Sequence, residues 1–307
     1  MAFYIARRIG LAVPTVVGVI TLVFFLIHLV PGDPVDMVLG ETAVAADRAR
    51  LREQLGLDQP LPVQYARYLV HLARGDLGHS LHSGQSVGLL LAARYPATFE
   101  LASGALLVTL LIAFPLGLLA AARPHSCFDH ACRAVAVAGA ATPNFYLGPM
   151  LILAFSIGLE WFPVSGRGGF SHLTLPALTL GIGMSAIVAR MLRGTILDRL
   201  HEDYVRTALA KGVSRRRVLL KHVLRNALLP AVTILGLQAG VLLAGTIVTE
   251  TIFAWPGIGR LTLQAIQSRD YPLVQGCLLV IALSYVLINL VTDLLAALID
   301  PRIRARS

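Results

Sequence analysis

Six long apolar runs alternate with polar stretches along the chain: Ile9 to Val30, Thr98 to Ala122, Ala134 to Leu159, Thr174 to Leu192, Leu228 to Thr249 and Leu273 to Ile299. A helix needs about 20 mostly apolar residues to cross the hydrocarbon core of a bilayer, so each run predicts a span. The first run follows Arg7 and Arg8, in the charge order of a signal peptide. It is too long for one and no small-residue cleavage site follows, so it reads as an uncleaved span. PGDPVDMVLG, Pro31 to Gly40, breaks it.

The polar stretches have patterns of their own. Between residues 31 and 96, Asp47 to Leu55 and Leu61 to Ala73 read as amphipathic helices, the second with Leu61, Tyr65, Leu69 and Leu72 on one stripe. Run three contains TPNFYLGPM, where Pro143 and Pro149 bracket a kink or break. Run four carries Gly181, Gly183 and Ser185, which allow close helix contact. ETIFAWPGIGRLTLQAIQSRDYP reads as a Trp-Pro-Gly turn followed by an amphipathic helix, Ile258 to Ser268.

The polar stretch between runs four and five is the longest basic one. Ala189 to Pro230 holds ten of the 26 Lys and Arg residues. Leu197, Leu200, Tyr204, Ala208 and Lys211 fall at helical spacing, with Glu202 and Asp203 in the first turn of a piece running from Glu202 to Lys211. Gly212 suits a helix stop, and Ser214 the N-cap of a further helix. The loop predicts helix, glycine turn, helix, held against the membrane face.

Composition agrees with the spans. Of 307 residues, 56% are hydrophobic and 14% charged, against about a quarter charged in a soluble protein. The net charge of +9 follows topology rather than nucleic-acid binding. With both ends inside, inside segments hold 17 Lys or Arg and outside segments nine, six of them in the long segment 31–96, whose translocation is largely indifferent to charge. Some of these arginines meet membrane lipid.

Polar groups inside the runs are candidates for a transport path. Thr142, Asn144 and Tyr146 lie at the Pro143 break, where freed backbone is tolerated only in protein or along a cavity. Gln238 and Thr246 in run five should face protein or water rather than lipid, and Asn289 and Asp293 should face inward. Helix-packing polarity accounts for such residues as well. Cys127, Cys132 and Cys277 make no disulfide framework, and a Cys-x4-Cys pair beside His125 and His130 is wider than common zinc spacing. His71, His79 and His82 invite a metal, but only Asp76 stands by to complete a set. No metal or cofactor site is assigned.

Several classes are disfavoured. The chain has no G-x-x-x-x-G-K-[ST] phosphate loop for ATP. It lacks an H-E-x-x-H site or paired intramembrane aspartates, which speaks against a membrane protease. The series of buried ionisable groups expected of a proton-coupled carrier is missing, and Asp293 alone does not make one. The chain is not expected to be an enzyme.

YVRTALAKG followed by HVLRNALLP resembles the cytoplasmic loop by which the permeases of peptide and nickel ABC importers dock onto their ATPases. Against the general form of that loop only Ala208, Gly212 and Leu224 match; Arg206, Thr207, His222 and Arg225 replace its Glu, first Ala, Ile and Pro. LREQLGLDQPLPVQYARYL, GDLGHSL, the Trp-Pro-Gly stretch and the C-terminal DPRIR extend the resemblance over nearly the whole chain. It implies an all-α type I (MetI-like) importer permease of six transmembrane helices in a bacterial inner membrane, with both termini cytoplasmic. Residues 1–30 are then the cytoplasmic start and first span, and 31–96 an inserted periplasmic helical segment. Residues 97–299 form the permease core, with the docking loop at 193–227, and 300–307 a cytoplasmic tail. Implied partners are a second, homologous permease, two ATPases that bind ATP and Mg, and a periplasmic or lipid-anchored substrate-binding protein. Tyr204, Arg206, Thr207, Ala208, Lys211, Gly212 and Ser214 are the expected docking residues. The implied cargo is a di- or oligopeptide, with nickel, a nickel chelate or glutathione as alternatives. YPATFELA and TPNFYLGPMLILAFSIGLEWFP look especially close to nickel-type permeases. A secondary transporter working alone is the alternative from another class, and it gives the basic loop no role.

Overall fold

The architecture comes from a computed structural model, which describes residues 2–29, 45–55 and 57–299. The break at 31–40 and the tail 300–307 lie outside the described residues. The described residues are almost all helical, with one isolated antiparallel bridge between His79 and Ser86. Five helices are long and apolar enough to cross a membrane, and a sixth crossing is made if one bent pair is counted as a span.

The helices in order are α1 Ala2–Leu29, α2 Ala45–Leu55, α3 Leu61–Ala73, α4 Val87–Ala122, α5 Cys127–Ala141 and α6 Asn144–Leu151, which continues as a π-helical stretch Ile152–Gly158. Then come α7 Phe170–Leu200, α8 Asp203–Ala210 and α9, which starts at Arg215–Arg217, passes a π-helical stretch Val218–Val223 and continues as Leu224–Gly245. The chain closes with α10 Ile247–Ile252, α11 Ile258–Gln267 and α12 Tyr271–Ile299.

Span two begins eleven residues before the apolar run, at Val87. At 1.5 Å per residue its 36 residues reach about 54 Å, well beyond the roughly 30 Å hydrocarbon core. Pro96 and Arg94 look like boundary residues in the sequence, but Val87 and Leu91 pack on α12 and hold the helix through them. Span three is broken: α5 and α6 meet at 102°. Pro143 occupies the N-cap of α6, since it cannot donate a helical hydrogen bond and disfavours helical geometry at Thr142. The helix expected after Ser214 is the start of span five itself, and the π-helical stretch carries it into the membrane.

Four apolar clusters stack along the bundle. At one end α4, α11 and α12 meet through Val87, Leu91, Ile258, Leu261, Leu273, Val274 and Cys277. Next come Leu101, Ala105, Leu180, Met184, Leu243 and Trp255, then Ala113, Val188 and Ala189. At the other end, hereafter the basic end, Ala121, Leu192, Ile196, Val205, Val218 and Val223 join α4 and α7 to the basic loop. The most extensive pairing is α4 on α7. A Cβ on Gly181 would lie 2.6 Å from Val108, so only glycine permits that approach.

The first helix is held from both sides. Arg8 pairs with Asp293 of α12 at 2.8 Å, which turns that aspartate toward α1. The hydroxyls of Thr21 and Tyr65 are 2.7 Å apart, and Phe24 packs on Tyr65 and Tyr68 of α3. The Leu61–Ala73 helix thus docks by its tyrosines, while Leu61 and Leu69 of the expected stripe stay exposed.

Candidate functional site

The basic loop forms a short, fixed prong. Helix α8 ends at Gly212, whose φ of +80° favours glycine. The Gly212 N–H donates to Leu209 O at 2.9 Å and the Val213 N–H to Ala208 O at 3.2 Å, the paired bonds of a Schellman stop. Ser214 takes the N-cap position of the next helix, though its side chain makes no capping bond. Val205, 2% exposed, anchors the prong on Val218 and Val223. An ion pair between Arg199 and Glu202 braces the entry.

The seven predicted docking residues divide by face. Arg206, Thr207, Lys211, Gly212 and Ser214 are exposed, together with Leu209 and Arg215 to Arg217. Tyr204 and Ala208 do not share that surface. They turn inward onto the Val205 cluster, one helical turn apart, and support the prong rather than present themselves. The buried Tyr204 hydroxyl has no hydrogen-bond partner among the described residues. The outward face is cationic. Its one internal ion pair, Arg206 to Asp203 at 3.8 Å, joins groups 76% and 97% exposed and therefore contributes little.

A buried carboxylate braces the base of the bundle nearby. Asp129 accepts from Arg193 Nε and Nη2, both at 2.7 Å, and from the His125 N–H at 3.0 Å. Ser126 caps the same helix by accepting the Asp129 N–H at 3.2 Å. Together these tie the start of α5 to α7.

The opposite end is organised by a second buried acid that sequence reasoning missed. Glu250 is fully buried. Its Oε1 accepts from Thr98 Oγ1 at 2.9 Å and Thr246 Oγ1 at 3.0 Å, and its Oε2 accepts the Arg260 N–H at 2.8 Å. Thr98 Oγ1 in turn accepts the Ile258 N–H at 2.8 Å, and buried Trp255 donates to Ala97 O at 2.8 Å. Gly257 is required beside this acid, because a Cβ there would lie 2.2 Å from Oε1. The hairpin α10–turn–α11 is thereby fastened to α4. Asp270, 1% exposed, accepts from Ser80 Oγ and the Leu81 N–H, fastening the 76–86 turn to the head of α12. The available signal was two acids flanking a Trp-Pro-Gly turn between apolar spans.

The five path candidates do not form one lining. Thr142 and Asn144 sit at the 102° break, with Asn144 facing α7 near Gly183, and Tyr146 is 56% exposed. Gln238 is half-buried on α9. Thr246 has no exposed surface and spends its hydroxyl on Glu250, so it offers nothing to a solute in this conformation. Among the histidines, His71 Nδ1 lies 2.9 Å from Asp76 Oδ2. Among the described residues no three His, Cys, Asp or Glu side chains converge as a metal set.

Comparison with known proteins agrees with this architecture. Residues 113–305 match the family model "Binding-protein-dependent transport system inner membrane component", and residues 1–102 match the N-terminal model of the same family. A di/tripeptide transport system permease of Pseudomonas aeruginosa is 44% identical, and a dipeptide transport system permease of Escherichia coli 42%, each over 99% of both chains. A glutathione transport system permease of Salmonella paratyphi A is 43% identical, also over 99% of both chains. A solved structure of the MetNI methionine ABC transporter in inward-facing conformations superposes with a TM-score of 0.60 at 16% identity, covering 69% of this chain and 97% of that one. That likeness shows the shared fold. The chain therefore belongs to the inner-membrane components of binding-protein-dependent transport systems, as a multi-pass permease of the dipeptide and oligopeptide branch of ABC importers.

Proposed function

We propose that this permease forms half of a path for di- or oligopeptides, driven by ATPases that seat on the α8 prong. The observation that carries the reading is the division of that prong. Val205, Tyr204 and Ala208 lock it to α4, α7 and α9, while a face with more cations than acids, Arg206, Lys211 and Arg215 to Arg217 against Asp203, points away. A part held that firmly transmits a push from a separate body into the spans. Arg206 and Lys211 pair with acidic groups on the ATPase, which binds ATP and Mg. ATP-driven closure then favours one of two arrangements of the spans by differential contact. The charge distribution supports a topology with the basic end and both termini in the cytoplasm and segment 31–96 in the periplasm. A second permease completes the path, and a substrate-binding protein delivers cargo to the opposite end.

One observation favours glutathione as a second reading. The alignments to the peptide permeases run to 333 and 336 positions, longer than this 307-residue chain, so those relatives carry residues it lacks. The glutathione permease aligns over 304 positions.

The test is uptake in cells deleted for this chain, offered labelled dipeptide, glutathione or nickel, with wild type or Gly212→Trp restored. Peptide uptake restored by wild type and lost in the variant at equal membrane abundance is the expected result. Restored uptake of glutathione or nickel alone would reassign the cargo. Equal uptake by variant and wild type would remove the docking role of the prong.

A further inference from the structure

A cavity of about 90 Å³ opens beside the Glu250 hairpin, lined by Arg94, Pro256, Gly257, Arg260, Leu261 and Gln264. Arg94 lies one helical turn before Thr98 on α4, and Arg260 and Gln264 are one turn apart on α11. Two arginines and a glutamine therefore line one cavity from two helices that the buried acid already fastens together. Arg260 is oriented by its own backbone: Nη1 donates to Ala254 O at 2.9 Å and its N–H is held by Glu250. Neither arginine has an ion-pair partner among the described residues. The nearby acids are spent elsewhere: Glu250 on Thr98, Thr246 and Arg260 N–H, Glu100 on Arg167 at 2.7 Å, and Asp270 on Ser80.

Two arginines lining one small polar cavity without an acid among its lining residues call for an anion with several acceptor lone pairs. The cavity is open to the surface and large enough to admit a carboxylate. We propose that this cavity is a carboxylate subsite at the delivery end of the permease, which takes the free C-terminal carboxylate of the incoming peptide. It rests on the reading of this chain as a peptide permease with its basic end in the cytoplasm. The same pair of charges repels a bare divalent cation, so the site also sorts cargo by sign.

The experiment is arginine footprinting on the intact transporter in lipid nanodiscs, without binding protein. Phenylglyoxal modification of Arg94 and Arg260 is followed by mass spectrometry, with Arg269 as the reference. The probes are alanyl-alanine, its C-terminal amide and glutathione. The free acid should slow modification of both arginines while Arg269 is unchanged, and the amide should not. In Arg94→Gln, protection of Arg260 should need about tenfold more peptide, as expected for loss of one charge-assisted contact. Equal protection by acid and amide, or none by either free acid, would overturn the proposal. Protection seen only when binding protein is added would give this surface to that partner and overturn it equally. Cargo identity is decided separately by uptake: a glutathione carrier that ignores dipeptides would still show acid-dependent protection by glutathione.

Discussion

Removing the Glu250 carboxylate should loosen the end of the permease opposite the prong far more than its single position suggests. Every neighbour that touches it is a donor: the hydroxyls of Thr98 and Thr246 meet Oε1, and the Arg260 N–H meets Oε2. Thr98 also accepts the Ile258 N–H, so its hydroxyl proton is directed at the acid. In Glu250→Ala three buried donors lose their acceptor. At about 1–3 kcal/mol for each unsatisfied group, and with some relief from water entering the void, the cost is about 3–6 kcal/mol. Glu250→Gln keeps one oxygen for the two hydroxyls but turns an amide N–H₂ toward the Arg260 N–H, which costs about 2–3 kcal/mol. Thr98→Val removes one donor to the acid and the acceptor of Ile258, and should fall between wild type and alanine. The assay is thermal unfolding of the purified permease in nanodiscs, with proteolysis of the 253–258 turn followed in parallel. The order wild type, Gln, Ala in falling midpoint, with cleavage rising in the same order, is the expected result. A glutamine variant as stable as wild type would show that the acid is held as a neutral group or that water already serves the donors, and the donor count would be wrong.

Further outcomes follow from the basic end and the outer turn. Gly212→Ala meets no atom within 4 Å and should cost only the left-handed backbone penalty, about 1 kcal/mol, so uptake should survive it in the assay where the tryptophan variant fails. Tyr204→Phe should leave the melting point of the isolated permease unchanged or higher, because the hydroxyl has no partner among the described residues; a drop in ATPase retention on pull-down would show that the partner supplies one. Arg193→Ala leaves the buried Asp129 carboxylate only the His125 N–H and the half-exposed Arg133 at 3.6 Å, and should cost about 3 kcal/mol, read as a lowered melting midpoint, and Arg193→Lys should not rescue it because the pair is bidentate. The Gly78 N–H, then His71, hold the Asp76 carboxyl below its usual range. Its contribution is therefore present above the ordinary carboxylate pKa of about 4 and is lost only as pH falls through the lower folded value. Proteolysis of the 74–80 turn should rise below about pH 4, with Asp76→Asn abolishing that step.

The parts legible in the sequence were those set by local chemistry. Leu61–Ala73 was read to the residue, the Ile258 helix to within one, and Gly212 was identified as a stop, because a proline start, an amphipathic period and a left-handed glycine act within a few residues. The break at Pro143 was legible for the same reason, though not its 102° angle, which α7 and α10 impose by packing. What was not legible depends on distant partners. Arg94 and Pro96 read as the end of a polar segment, yet contacts to α12 carry α4 past them. Tyr204 and Ala208 carry the family pattern, and only the folded cluster shows that they face inward. Glu250 read as an external acid because burial depends on Thr98, some 150 residues away in the chain.

The two functional ends are joined by the same two helices. Ala121 near the end of α4 belongs to the cluster that seats the prong, and Thr98 and Val87 near its start hold the Glu250 hairpin and the head of α12. Helix α7 runs alongside, with Leu192 and Ile196 at the prong and Leu180 and Met184 under Trp255. Their contact is too close at Gly181 and Gly117 for one to slide freely over the other, so they move together. The break at Pro143 and the π-helical stretches beside it and at the start of α9 lie outside that pair. They are the places where the backbone can rearrange without parting α4 from α7. On the proposed reading, a push on the prong would be passed by this pair to the broken span, where Thr142 and Asn144 also sit. Under the proposed function, coupling would need only two packings of the broken span that an ATPase and the cargo favour differently.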